Sequence, residues 1–271
     1  MTYRQSIFGF FFLLSFLTAC NNQSESPQPV STPTGSWNFG NVIDQRTVGD
    51  YDIFLWGERV GLDFAGGYGR FTIERDGQIL MTIEQADKFN DAPSDDLTGE
   101  GNPDILLQTR RGGSHCCIGQ VLIDLGPEPV EIIRSWSSIQ GDRGLGEFKD
   151  LTNDGIYEIV RADGIEAPCT TPMVKVILEY QPSSGYQPVS QQFPEQYKED
   201  IEFELDRLEE EFARDGSVHH CSIPTIIASY YYMGQKEEAR EVFDQYYTAD
   251  DAEAYWLELI EGIKNGRYYT E

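Results

Sequence analysis

Short hydrophobic runs, separated by Gly, Asp, Asn or Pro, fill the first two thirds of the chain. They predict strands over 69–75, 78–83, 105–108, 120–125, 130–133, 157–160 and 174–180. Asp76 and Gly77 stand between the first two runs and suit the tight turn of a β-hairpin. No helical period occurs before about residue 190. We therefore expect an antiparallel β-rich domain over 37–190, built as a partial propeller or a small sandwich.

A helical period replaces this pattern after Pro194, which suits a first-turn position. One apolar stripe with spacings of three and four consists of Tyr197, Ile201, Leu205, Leu208 and Phe212. Gly216 follows as a stop signal. Three further helices are predicted over 222–233, with Ser222 as its cap, over 235–247 and over 250–264. The fold class is therefore α+β, with a small all-α helical bundle over 194–271 after the β-rich domain.

Acidic residues dominate the charge. The 271 residues contain 46 Asp and Glu against 20 Lys and Arg, a net charge of −26. Residues 195–271 alone contain 20 acidic and 7 basic residues. Such a surface repels nucleic-acid phosphates and anionic lipid headgroups, which excludes nucleic acid as a partner. It favours divalent cations and basic proteins as ligands.

The N-terminus has the pattern of an export signal. Arg4 precedes an almost entirely apolar run over 7–17. Eleven helical residues rise only about 16 Å, half the thickness of a hydrocarbon core. Residues 1–19 are therefore predicted to be a signal peptide and not a permanent membrane span.

The end of this signal, Leu17-Thr-Ala-Cys20, resembles the bacterial lipobox. The resemblance implies that Cys20 is lipidated and becomes the first residue of the mature chain. Residues 20–36, rich in Asn, Gln, Ser, Thr and Pro, would then be a flexible linker. We expect a lipid-anchored protein in the cell membrane or outer membrane, facing the periplasm or the exterior. The resemblance implies that an Asp at position 21 would retain the protein in the inner membrane, and because this chain has Asn21 the outer membrane is favoured. The alternative is an ordinary signal peptide with a chance cysteine.

Two acidic segments 54 residues apart share one pattern, with oxygen-bearing side chains at positions 1, 3, 5 and 9 and glycine at position 6. The first segment, 96–104, places Asp96, Thr98, Glu100 and Asp104 at these positions. The second segment, 150–158, places Asp150, Thr152, Asp154 and Glu158 there. We refer to them below as the first and second acidic loops.

Both acidic loops resemble the FG-GAP and VCBS-type repeats, in which such a loop binds Ca²⁺. The resemblance implies Ca²⁺ as a cofactor, with the second loop favoured because of Asp154. Thr98 and Thr152 stand where those repeats have Asp, so a weak site is expected. The alternative is that the carboxylates only cap backbone amides in two turns.

Four cysteines besides Cys20 argue for disulfides in an exported chain: Cys116, Cys117, Cys169 and Cys221. We expect a Cys116–Cys117 bridge, or one of these two paired with Cys169; with the vicinal bridge, Cys169 would pair with Cys221. All three histidines adjoin cysteines, which leaves a zinc or copper site open if the thiols are reduced. Residues 112–117 also resemble a GGxHCC signature of bacterial secreted proteins, which supports the fold and implies no reaction.

Residues 227–243 resemble one tetratricopeptide helical hairpin. Tyr230, Gly234, Ala239 and Phe243 occupy the aromatic, turn and contact positions of that repeat. The resemblance implies a protein partner at the helical domain, although a single repeat does not make a solenoid. A plain helical bundle packed on the β-domain is the alternative.

No nucleophile, phosphate-loop or zinc-protease motif occurs in the chain. We therefore expect a non-enzymatic role in binding or assembly, with the fold stabilised by Ca²⁺. One alternative is a hydrolase that acts on envelope polysaccharide with paired carboxylates. A second alternative is a lipoprotein that handles metals or redox equivalents through its His and Cys clusters.

Overall fold

A computed structural model describes residues 40–57, 69–110, 118–136, 144–168, 170–216 and 220–270. The strands are β1 Asn41–Val48, β2 Tyr51–Gly57, β3 Gly69–Arg75, β4 Gln78–Phe89, β5 Asp104–Arg110, β6 Ile118–Asp124, β7 Val130–Trp136, β8 Glu147–Lys149, β9 Glu158–Gly164, β10 Met173–Gln181 and β11 Gly185–Pro188. The α-helices are α1 Lys198–Asp215, α2 Pro224–Tyr232, α3 Lys236–Tyr246 and α4 Ala252–Lys264. The α+β class, with a β-rich part before the helices, is confirmed.

The strands form two antiparallel sheets. In the first sheet the seven strands β1 to β7 follow one another in chain order, and in the second the order is β11-β10-β9-β8. The predicted hairpin joins β3 to β4, where Asp76 and Gly77 both have positive φ, 55° and 74°. This is the conformation that the primed two-residue turn requires.

The first sheet is strongly curled. Arg46 on β1 donates to the carbonyl of Asn90 after β4 at 3.3 Å, and it pairs with the Asp91 carboxylate at 3.1 Å. Two strands lie between β1 and β4, which in a flat sheet would be about 14 Å apart. The Tyr51 hydroxyl donates to the carbonyl of Gly126, which joins β2 to the loop after β6. One face of the sheet therefore packs on itself around buried residues such as Phe71.

The opposite face of β5 and β6 belongs to a second core. Leu106 and Leu122 contribute to one buried cluster that also contains residues of the second sheet and of all four α-helices. Within this cluster α2 packs against β10. The second sheet thus lies between the curled sheet and the helices, and the acidic loops lie beside this core.

Two predicted helix starts are refined. Pro194 is the first residue of a short 3₁₀ helix, Pro194–Tyr197, and α1 begins after it. The prediction that Ser222 caps α2 is wrong, because the N-cap residue is Ile223 and has no side-chain capping bond. The Ser222 hydroxyl instead donates to Glu211 of α1 at 2.8 Å. Gly216 does end α1, in the left-handed conformation.

Candidate functional site

The two acidic loops share two internal hydrogen bonds. In each loop the carboxylate at position 1 accepts the amide of the glycine at position 6: Gly101 donates to Asp96 at 2.8 Å, and Gly155 donates to Asp150 at 3.1 Å. The two glycines have nearly equal φ, 84° and 87°. The sequence repeat is therefore also a repeat of local structure.

The carboxylate at position 9 of each loop turns back to the amide at position 2. Asp104 accepts from the Leu97 amide at 2.8 Å, and Glu158 accepts from the Leu151 amide at 2.7 Å. Both carboxylates open a strand, β5 or β9, and both are buried. Burial raises the pKa of Glu158 above its ordinary value.

The two loops contact each other. The Tyr157 amide donates to the carbonyl of Leu97 at 2.9 Å. A Cβ atom placed on Gly99 would lie 2.6 Å from Cγ1 of Ile156, so the first loop packs directly on the second. The sequence predicts the two loops separately and gives no sign that they meet.

Thr98, at position 3 of the first loop, is buried and acts as a hydrogen-bond donor. Its hydroxyl lies 3.2 Å from Oδ2 of Asp104 and 3.5 Å from Oδ1 of Asp96. Its amide also donates to Asp104, at 3.0 Å. Thr152, the equivalent residue of the second loop, is exposed. The threonine thus supports the position-9 carboxylate in one loop only.

Asp124 is a residue of this site that the sequence analysis missed. It ends β6 directly opposite Asp104 in the register of β5 and β6. Burial raises the pKa of Asp104 to about 6, and the nearby Asp124 carboxylate adds to the rise. Burial also raises the pKa of Asp124. The cross-strand pairing, which joins residues 20 positions apart, is the only signal that could have identified it.

Glu100, at position 5 of the first loop, is exposed and joins the loop to the second sheet. It accepts a hydrogen bond of 2.7 Å from the hydroxyl of Tyr180 on β10. Burial, and then this bond, raise the pKa of Tyr180. The first loop is therefore hydrogen-bonded to the second sheet through Glu100 and Tyr180.

Most of the carboxylates predicted to bind Ca²⁺ accept hydrogen bonds from amides of their own loops. Asp96 and Asp150 each use both oxygens for loop amides, and Asp154 accepts the Ile156 amide at 2.9 Å. Across the described ranges, which include both loops completely, no three His, Cys, Asp or Glu side chains form a group able to hold a metal ion. Ca²⁺ in either loop therefore stays a prediction.

Four of the five cysteines lie outside the described residues. They are Cys20, Cys116, Cys117 and Cys169. Cys221, within the 3₁₀ helix His220–Ser222, is disulfide-bonded and is therefore not a free thiol. The pairing of the cysteines stays a prediction.

Helices α2 and α3 form the hairpin that the sequence predicts. Gly234 lies between them with φ 77°, and Ala239 and Phe243 are fully buried on α3. Aromatic residues of α2, α3 and α4 belong to the core: Tyr231, Tyr246 and Tyr255 are each at most 7% exposed. They do not form an open aromatic surface for a partner.

Helix α1 has the opposite character. Nine of its eighteen residues are Asp or Glu, and only Ile201 and Leu208 are buried. Phe203 lies off the predicted apolar stripe and is 67% exposed. Phe212, also partly exposed, packs edge-on against Tyr246 of α3, with ring centroids 6.1 Å apart. The face around Phe203 is thus an apolar group within a strongly acidic surface.

Within the described part of the chain, no helix is long and apolar enough to cross a membrane. The predicted signal peptide and linker, 1–36, lie outside the described residues. Comparison of the whole chain with protein-family models, with curated proteins and with solved structures gives no match.

Proposed function

We propose that this chain is a lipid-anchored protein of the bacterial cell envelope that binds a partner protein and does not catalyse a reaction. The observation that carries the binding role is the outer face of α1, where Phe203 is 67% exposed among carboxylates. The lipobox at Cys20 supports the location. The proposed anchor is Cys20, and the proposed docking surface is the α1 face, defined as Glu199, Phe203, Asp206 and Glu210.

These four residues lie on one side of the helix. They are spaced by four, three and four positions, and each is exposed. This stripe is distinct from the core-facing stripe that contains Ile201 and Leu208. An aromatic anchor supplies most of the binding energy that such a surface can offer, while the charges set the association rate and the choice of partner.

Charge complementarity defines the partner. The only basic residues on α1 are Lys198, Arg207 and Arg214, and the last two pair with Glu204 and Asp215 of the same helix. The α1 face is therefore left negative. We assign to it a basic amphipathic helix of another envelope protein, with an apolar stripe that covers Phe203.

The two alternative functions receive less support from the described residues. A polysaccharide hydrolase needs a pair of accessible carboxylates at a set separation, and no observation on the described residues singles out such a pair. Metal binding by Cys221 needs a free thiol, whereas Cys221 is disulfide-bonded.

Metabolic labelling tests the anchor. Cells that express the full chain would be given labelled palmitate, and the purified protein would be assayed for the label. We expect label on the wild type and none on the Cys20→Ala variant. An unlabelled wild type, or label retained by the variant, rejects lipidation at Cys20.

A defined peptide tests the docking surface. The probe is a synthetic Lys/Leu helix with one apolar stripe, and its control is a scrambled peptide of equal composition that lacks the stripe. We expect the amphipathic peptide to bind at least about tenfold more tightly than the scrambled one, with affinity that falls as salt increases. The Phe203→Ser variant should lose that preference.

Leu257→Ser is the matched control, because Leu257 of α4 is 61% exposed and thus similar in exposure to Phe203. This variant should bind the amphipathic peptide like the wild type. Equal loss in both variants, or no loss in Phe203→Ser, shows that the α1 face is not the docking surface. Binding that is independent of salt contradicts the proposed basic partner.

A further inference from the structure

Asp104 and Asp124 approach each other across the junction of β5 and β6. The Leu125 amide donates to the carbonyl of Pro103 at 2.8 Å, and the Asp104 amide donates elsewhere, to Asp95. Hydrogen-bonded and non-hydrogen-bonded pairs alternate along an antiparallel ladder. Asp104 and Asp124 are therefore a non-hydrogen-bonded pair, in which opposite side chains come closest.

Each carboxylate of this pair has a buried oxygen without a hydrogen-bond partner among the described residues. The two atoms are Oδ1 of Asp104 and Oδ1 of Asp124, and the residues are 94% and 92% buried. The second oxygen of each carboxylate does have hydrogen-bond donors. Oδ2 of Asp104 accepts from Leu97 and Thr98, and Oδ2 of Asp124 lies 3.4 Å from the side-chain nitrogen of Asn102. A buried oxygen without a partner is costly, and in a carboxylate more so.

The surrounding charges add to this cost. Glu100 and Asp96 both act on Asp124 as further negative charges. Like charges directly opposite in a sheet destabilise it. Two further carboxylates thus lie near enough to the pair to act on it, and the two buried oxygens call for a positive partner.

We propose that Asp104 and Asp124 bind a hard divalent cation between Oδ1 of one and Oδ1 of the other. Two carboxylates suffice for a partly hydrated Ca²⁺ or Mg²⁺, whose remaining ligands are water. The segment Gly99–Gly101, which precedes Asp104 in the first loop, is exposed to solvent. Asp124 lies outside both acidic loops, so this site differs from the ligand set that the loop pattern predicts. It is also independent of the proposed α1 docking surface.

Thermal unfolding of the full chain, first stripped of metal with a chelator, tests the site. Ca²⁺ and Mg²⁺ would be titrated in separate series. At about ten times the dissociation constant, the melting temperature should rise by about 3–5 °C. Calorimetric titration should give one ion per chain. If neither ion changes the melting temperature at 10 mM, the proposal is rejected.

Two isosteric variants locate the ion. Asp124→Asn removes one ligand and also removes the repulsion, so without metal its melting temperature should be higher than that of the wild type, while its response to the cation is lost. A role for Asp124 in folding alone would not produce this combination. Asp154→Asn is the matched control, since Asp154 is the exposed second-loop residue that the loop pattern favours as a ligand. Response lost in Asp154→Asn but kept in Asp124→Asn assigns the ion to the second loop and overturns the proposal.

Discussion

The amide of Tyr157 donates a hydrogen bond of 2.9 Å to the carbonyl of Leu97 and so joins the two acidic loops. Leu97 itself is completely buried. Each loop begins a strand of a different sheet, β5 or β9, so this bond also connects the two sheets. The stability of the loops and the packing of the sheets are therefore coupled.

The stability cost of crowding at Gly99 can be measured separately from the cost of its positive φ. Gly99 and Gly101 both have positive φ, but only at Gly99 would a Cβ meet Ile156, whereas nothing lies within 4 Å at Gly101. Gly101→Ala should cost about 1 kcal/mol through φ alone. Gly99→Ala should cost about 1–3 kcal/mol more, because Ile156 must move. Urea unfolding measures both values, and equal costs would contradict direct packing of the loops.

The two position-3 threonines provide a matched comparison. Thr98→Val keeps the shape but removes the hydroxyl that donates to Oδ2 of Asp104 at 3.2 Å. We expect it to lower the free energy of unfolding by about 1–2 kcal/mol. Thr152→Val, at an exposed position, should change it by less than about 0.5 kcal/mol. Similar values for the two variants would show that Thr98 does not support Asp104.

Asp104 should make the metal-free protein less stable as the pH rises. Its pKa in the folded state is about 6, above the ordinary value of 3.8, so the folded state binds this proton more tightly than the unfolded state. The free energy of unfolding should therefore fall between about pH 4 and pH 7. Asp104→Asn should flatten this part of the profile, as measured by urea unfolding at several pH values. A difference between wild type and variant that is constant with pH would contradict the raised pKa.

A buried hydrogen bond connects α2 to the second sheet. The hydroxyl of Tyr232 donates to the buried carboxylate of Asp163 on β9 at 2.9 Å. Tyr232→Phe leaves Asp163 with the Tyr268 amide at 3.4 Å and should cost about 1–3 kcal/mol. Tyr230→Phe, on the same helix, is the control and should cost less. If both substitutions cost the same, the bond to Asp163 adds nothing to stability.

Local pattern was enough to predict seven of the eleven described strands, although β1, β2, β8 and β11 were not predicted. It also predicted the turn at Asp76, the end of α1 at Gly216 and the turn at Gly234. Asp76, Gly216 and Gly234 all have the positive φ that their positions suggested. The acidic repeat was also recognisable in the sequence, because the residues of each copy lie within one short loop. The pairing across the sheet was not visible in the sequence, because only the register of β5 and β6 brings Asp124 to Asp104.

The direction of side chains was the second property that the sequence did not reveal. A carboxylate at position 1 can face a cation or its own loop, and the spacing is the same in both cases. Asp96 faces the amides of Gly99 and Gly101, at 2.7 and 2.8 Å. The start of α2 is similar, because the bond from Ser222 to Glu211 depends on where α1 lies.

The uneven burial of the helices has a consequence for how the fold opens. Helix α2 buries seven of its nine residues, while α1 buries only Ile201 and Leu208. The free energy of local opening is therefore smaller for α1, and its amide protons exchange with solvent before those of α2. We therefore expect the 18 residues of α1 to open locally before the rest of the fold unfolds.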